Sequence, residues 1–141
     1  MATNRWLAVT IKQINKWEKM ILTVKEFESL LQDYNRVLGD MVASVTREYK
    51  KSVGKCEHCS IEGVTFDFAH RHGFDRPILI KNIFNKYSVK IDDDKIDLNL
   101  EKAKNEFKYE HKFNPSVLGL VLCKKCHNKY DGRGKNNGWT N

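Results

Sequence analysis

Apolar and polar residues follow several distinct rhythms along this chain. From residue 5 to 21, Trp6, Val9, Ile14, Trp17 and Ile21 fall on a helical stripe and predict a first helix. Thr23 followed by Glu26 is a capping box, in which hydroxyl and carboxylate each satisfy a backbone N–H that a first helical turn leaves unpaired. The helix opened there is expected to run to about Lys50. Phe27, Leu30, Leu31, Tyr34, Leu38, Met41, Val42 and Val45 would form one broad apolar face, with Gly39 as the point of kinking or splitting. Val64, Phe66 and Phe68 then alternate with Thr65, Asp67 and Ala69, and this period of two predicts a strand over 63–70. Residues 71–77 read as a polar loop, 78–87 as a short helix, and 88–98 as a hairpin turning at the acidic run 92–94. Leu100, Ala103 and Phe107 carry helical spacing over 99–112, with Asn99 or Asp97 as the cap. A second apolar strand, 117–122, leads into a helix over 125–130 that Gly132 and Gly134 should end.

This order predicts an α+β fold with a helical N-terminal arm at 1–51 and a core at 52–141 that carries a mixed insertion at 73–117. The arm's apolar face suits core packing, dimerisation or docking on DNA. With 141 residues, 40% hydrophobic and 30% charged, the chain is long and apolar enough for one core, which excludes wholesale disorder. No apolar run is long enough to span a membrane, and residues 1–7 lack the apolar region of a signal peptide, so the expected compartment is cytoplasmic. The net charge of +7 is uneven: 52–123 is neutral, whereas the last stretch sets Lys124, Lys125, Lys129, Arg133 and Lys135 against Asp131 alone. Such a basic tail serves either as a solubilising surface or as contacts to a polyanion, where each phosphate contact releases condensed counterions.

Cys56 and Cys59 form one Cys-x-x-Cys pair, Cys123 and Cys126 a second, with 63 residues between the pairs. In a reducing compartment two such pairs favour a metal over disulfides, and tetrahedral zinc with four thiolates matches the spacing. The expected cofactor is therefore a structural Zn²⁺ that closes the 63-residue excursion. His58 and His127 are spare donors. His70 ends the first predicted strand, and His127 follows the second pair with Asp131 four positions on. On a helix that spacing puts imidazole and carboxylate on one face, able to share a cation.

The segment Leu120-Val121-Leu122-Cys123-Lys124-Lys125-Cys126-His127-Asn128-Lys129-Tyr130-Asp131, with the earlier Cys-x-x-Cys and the strand ending at His70, resembles the HNH, or ββα-metal, nucleases. His70-Arg71-His72 is similar to an element of the phage junction-resolving endonucleases of that superfamily. The resemblance covers 56–72 and 118–132 and implies a zinc-stapled ββα-metal core that hydrolyses DNA phosphodiesters. It implies His70 as general base, with His72 the alternative. It implies His127 as ligand of a catalytic divalent cation, Mg²⁺ or another, with Asp131 or Asp67 as a further ligand. Arg71, His72, Arg76, Lys124, Lys125, Lys129 and Arg133 become candidate contacts to double-stranded DNA. The short free-standing chain resembles a restriction-type endonuclease, implying a homodimer on a two-fold site. A phage or mobile-element nicking endonuclease is the runner-up. Two positions depart from the family pattern: Ala69 stands where a metal ligand is common, and Leu118 stands where a central Asn is usual, with Asn114 nearby. Both departures suit a further alternative, a non-catalytic zinc module that only binds nucleic acid. His111 reads as a surface residue, and the acidic run 92–94 as a turn without calcium-site spacing.

Overall fold

The computed structural model describes residues 20–132. Trp6, Val9, Ile14 and Trp17 of the first predicted helix, and Gly134, Lys135 and Arg133 of the tail, lie outside the described residues. Ile21 belongs to a strand instead: β1 (Met20–Thr23) pairs antiparallel with β4 (Lys95–Leu98), whose other side takes β3 (Ser88–Lys90). An edge strand is selected by a pairing partner more than seventy residues away, which a local helical stripe cannot register. The β3–β4 hairpin turns as expected, and Asp92 Oδ1 accepts from the backbone N–H groups of Asp94 and Lys95 at 2.8 and 2.9 Å. The acidic run is thus a turn built on its own backbone.

The capping box opens α1 (Val24–Val45): Glu26 N donates to Thr23 Oγ1 at 3.0 Å, and Thr23 N to Glu26 Oε1 at 2.9 Å. The helix passes through Gly39 and stops at Thr46, short of Lys50. The buried Thr46 hydroxyl donates to Val42 O at 2.7 Å, and α2 (Arg47–Val53) restarts beyond it. A left-handed Gly54, φ 70°, ends α2 and turns the chain towards the first cysteine pair.

Next come β2 (Phe66–His70), α3 (Arg76–Lys86), the hairpin, α4 (Leu100–Phe113), the single turn α5 (Pro115–Leu118), β5 (Gly119–Cys123) and α6 (Lys124–Tyr130). Asn99 caps α4 by accepting from Lys102 N at 3.1 Å. β2 and β5 pair antiparallel, with Phe66 opposite Cys123 and His70 opposite Gly119. The second strand begins two residues later than its apolar pattern predicts, because Val117 and Leu118 are taken up by α5.

Two apolar clusters result, and β2 contributes a residue to each. Phe68 enters a large cluster with Phe27, Leu38 and Val42 of α1, Ile80 and Phe84 of α3, Leu98, Phe107 and Leu118. From residue 24 onward, the segment expected as an arm is therefore part of this core. Ala69 enters a smaller cluster with Cys56, Leu122, Cys123, Cys126 and Tyr130, where α6 packs on the two strands. Gly119 allows a close approach here: a Cβ on it would stand 2.6 Å from the Phe68 ring and 2.7 Å from Ala69 O. No helix among the described residues is long and apolar enough to cross a membrane.

Candidate active site

The sulfurs of Cys56, Cys59, Cys123 and Cys126 lie within 4.8 Å of one another, the only group of three or more potential metal donors among the described residues. Two local structures bring them together. The first pair sits on a knuckle in which Ser60 N donates to Cys56 O at 2.9 Å, and Cys56 N to Ile61 O at 3.0 Å. Glu57 clips this knuckle to β5: its N–H donates to Val121 O at 2.8 Å, and its Oε2 accepts from Val121 N at 2.7 Å. The second pair spans the junction of β5 and α6, with Cys123 at the end of the strand and Cys126 in the first helical turn.

The donor chemistry fits a cation. Burial raises the Cys56 thiol, but hydrogen bonds from the backbone of Cys59, Cys123 and His58 outweigh it and bring the pKa down to about 6. Cys126 is pushed up to about 12, first by burial and then by the neighbouring sulfurs. One sulfur thus favours the thiolate while burial and its neighbours hold another as the thiol, and a divalent ion at the centre would favour the thiolate there. The four cysteines form a cluster that could hold a structural metal ion.

A cleft of about 410 Å³ is walled by α1, α2, β2, the start of α3 and α6. His70, His127, Asp67, Asp131, Arg76 and Lys50 all line it. His127 is bracketed by carboxylates: Nδ1 lies 2.9 Å from Asp67 Oδ2, and Nε2 lies 3.2 Å from Asp131 Oδ2. Asp67 Oδ1 accepts from Lys124 Nζ at 3.2 Å. Burial raises the Asp67 carboxyl, but His127 and Lys124 outweigh it and hold it below the ordinary carboxylate range. His127 Nε2 and Asp131 are the pair spaced for a shared cation, because two ligands about 2.1 Å from an octahedral ion stand about 3 Å apart. Asp67 holds the opposite ring nitrogen and fixes the orientation of the imidazole.

His70 reaches the cleft from the end of β2. Its Nε2 lies 2.8 Å from Nε2 of His111, whose Nδ1 lies 2.8 Å from Phe107 O. His111 is fully buried, which corrects its reading as a surface residue. The signal that points to burial is periodicity, since Ala103, Phe107 and His111 continue one stripe of α4 at steps of four. Burial, followed by the nearby His111, Arg76 and His127, lowers the His70 pKa to about 3, so its ring is neutral near pH 7.

His72 is engaged elsewhere. Its ring stacks on Tyr130 with centroids 4.1 Å apart, its Nε2 is 3.0 Å from Tyr130 O, and its backbone N–H donates to Tyr130 Oη at 2.8 Å. It fastens the loop after β2 to the end of α6 and is not among the residues lining the cleft. Arg71 Nε donates to Ser116 O at 3.2 Å, holding α5. Arg76 does line the cleft: its Nε donates to Asn35 Oδ1 at 3.0 Å, and its guanidinium lies over Gly39, where a Cβ would meet Nη1 at 2.9 Å. Gly39 therefore makes room for Arg76 and does not break the helix. Lys124 and Lys125 are exposed on α6, Lys129 is half-buried there, and Arg133 lies outside the described residues. Lys50 and Asp75 complete the wall, and no motif distinguishes either from other charged residues of the chain.

Ala69 packs into the cysteine cluster at 1% exposure and Leu118 into the large core at 5%, so both positions that depart from the nuclease pattern serve packing. No family model, curated protein or solved structure matches this chain.

Proposed function

We propose that this protein is a metal-dependent endonuclease that hydrolyses phosphodiester bonds of double-stranded DNA. The observation that carries the reading is the convergence of His70, His127, Asp131, Arg76 and Lys50 on one cleft, together with a four-cysteine cluster that ties the knuckle before β2 to β5 and α6. In this reading the cluster holds zinc, the ion best matched to four thiolates, and its role is structural. His127 and Asp131 hold the catalytic cation, Mg²⁺ or another divalent ion. When bound, that ion supplies charge stabilisation for the phosphoryl oxygens and the leaving oxygen.

The side chains divide the remaining work. Arg76 and Lys50 bind the non-bridging phosphate oxygens, Arg76 from a position held by Asn35. Neutral His70 takes a proton from the attacking water, whose oxygen bonds to phosphorus as the bond to the leaving sugar oxygen breaks; that oxygen is protonated from solvent. A His70 pKa of about 3 is low for a base, and a phosphodiester anion brought into the cleft raises it by favouring the imidazolium. Asp67 keeps the His127 ring aimed. In its finer form the proposal is a sequence-specific restriction-type homodimer, with a nicking enzyme as the variant of the same chemistry. Discrete plasmid fragments would support the first and open circles the second.

One observation favours a second reading, a zinc module that binds nucleic acid without cutting it: Ala69 is packed against the cysteine cluster and leaves no ligand at that position. The test is incubation of plasmid with the purified protein in Mg²⁺ and in chelator, beside His127→Ala. The nuclease reading expects Mg²⁺-dependent cutting that the variant loses while keeping its zinc. Retarded but uncut DNA in every condition would select the binding module.

A further inference from the structure

His111 is buried, polar and close to the proposed base, and the nuclease resemblance assigns it no role. It sits on α4, inside the segment that separates the two halves of the site. Its hydrogen bonds can be followed proton by proton. Phe107 O is a carbonyl and only accepts, so the His111 Nδ1 that stands 2.8 Å from it carries the hydrogen. Burial lowers the His111 pKa and keeps the ring neutral, so its Nε2 is a bare acceptor. The His70 Nε2 that stands 2.8 Å from that acceptor must donate. A neutral imidazole with its hydrogen on Nε2 has its lone pair on Nδ1.

We infer that His111 is a positioning residue that selects the tautomer of His70, making Nδ1 the atom that accepts the proton of the attacking water. This inference rests on the nuclease reading for its catalytic half, whereas the tautomer itself does not depend on it. The relay runs from Phe107 O through His111 to His70, and aromatic rings hold it in register. Phe107 lies 4.4 Å from the His111 ring, and the edge of Phe68 packs 5.3 Å from His70, centroid to centroid. Such an arrangement serves the general purpose of a group behind a catalytic histidine, fixing which nitrogen is protonated and where the ring points. The acceptor is supplied by a helix of the intervening segment, so that segment would have a catalytic purpose besides carrying apolar core.

The test combines imidazole ¹⁵N NMR of the zinc-loaded protein with cleavage assays on His111→Gln and His111→Phe. Gln can offer an amide oxygen to His70 and an amide N–H to Phe107 O. Phe fills the space and offers neither. The expected results are an Nε2–H tautomer at His70 in the wild type, cleavage within about threefold in His111→Gln, and a loss of about 10- to 100-fold in His111→Phe at unchanged zinc content. An Nδ1–H tautomer at His70 in the wild type would overturn the inference. So would a second zinc bound between the two rings, or wild-type cleavage by a folded His111→Phe. If wild-type protein cuts no DNA, the nuclease reading fails on its own, and the NMR tautomer still decides the relay. If His111→Phe does not fold, the wild-type spectrum and His111→Gln decide it.

Discussion

His127 Nδ1 stands 2.9 Å from Asp67 Oδ2, a contact that joins α6, which carries Cys126, to β2, which ends at His70. It joins residues sixty positions apart in sequence and orients the imidazole whose other nitrogen faces Asp131. Removing the carboxylate charge without changing its shape should loosen this orientation. Asp67→Asn is expected to lower Mg²⁺ affinity and cleavage by about 10- to 100-fold while zinc content and melting temperature stay near wild type. Calorimetric titration of Mg²⁺ into both proteins is the check, and equal affinities would leave Asp67 as a surface ion-pair residue.

Gly39 offers a prediction in which stability and activity part company. A glycine inside a helix costs about 1 kcal/mol relative to alanine, yet a Cβ there would stand 2.9 Å from Arg76 Nη1. The guanidinium is the far end of a flexible side chain and can swing away. Gly39→Ala should therefore hold or raise stability by up to about 1 kcal/mol, while weakening substrate binding through a displaced Arg76. Denaturant unfolding and the KM for a DNA duplex, measured together, test this. A variant unchanged in both would mean that Arg76 does not hold phosphate.

Gly119 should behave in the opposite way, because its neighbours are a packed ring and a backbone carbonyl. A Cβ at this position would meet Phe68 at 2.6 Å and Ala69 O at 2.7 Å, so Gly119→Ala must push β2 and β5 apart. A loss of about 1–3 kcal/mol is expected from overpacking, and it should appear in thermal melts with zinc bound. An unaltered melt would show that the β2–β5 pairing is looser than its register implies.

How far the sequence reveals this architecture depends on whether each signal is local. Thr23 with Glu26, the Asn99 cap and the turn at Asp92 are legible because each uses side chains within three residues of the backbone it satisfies. The cysteine pairs are equally legible, since Cys-x-x-Cys encodes its geometry in its spacing. β1 escapes a local reading because its partner, β4, is distant in the chain, and the end of α1 because a buried Thr46 hydroxyl, not Gly39, marks it. The cleft shows the same division. His70, His127 and Asp131 follow from motif spacing. Lys50, Asp75 and the contact of His111 with His70 depend on how α2, α3 and α4 pack around β2.

The lowered pKa of His70 has a consequence for stability. The unfolded chain takes up a proton near pH 6.5, whereas the folded ring resists it down to about pH 3. The neutral ring's contribution is therefore whole above pH 6.5 and is lost as pH falls through that window. The slope approaches about 1.4 kcal/mol per pH unit for one such group. His111, also lowered by burial, acts in the same direction. Urea unfolding from about pH 7 to about pH 5 should show this decline, and His70→Gln should flatten it. Equal slopes for the two proteins would place the acid sensitivity elsewhere.

On the proposed nuclease reading, His70 does chemistry in a cleft that folds without it. Single-turnover cleavage of a DNA duplex in Mg²⁺ by wild-type protein and His70→Ala, matched for zinc content and far-UV circular dichroism, tests it most directly. His70→Ala is expected to be slower by about 100- to 10,000-fold with its zinc intact. A His70→Ala protein that cuts at the wild-type rate would contradict it.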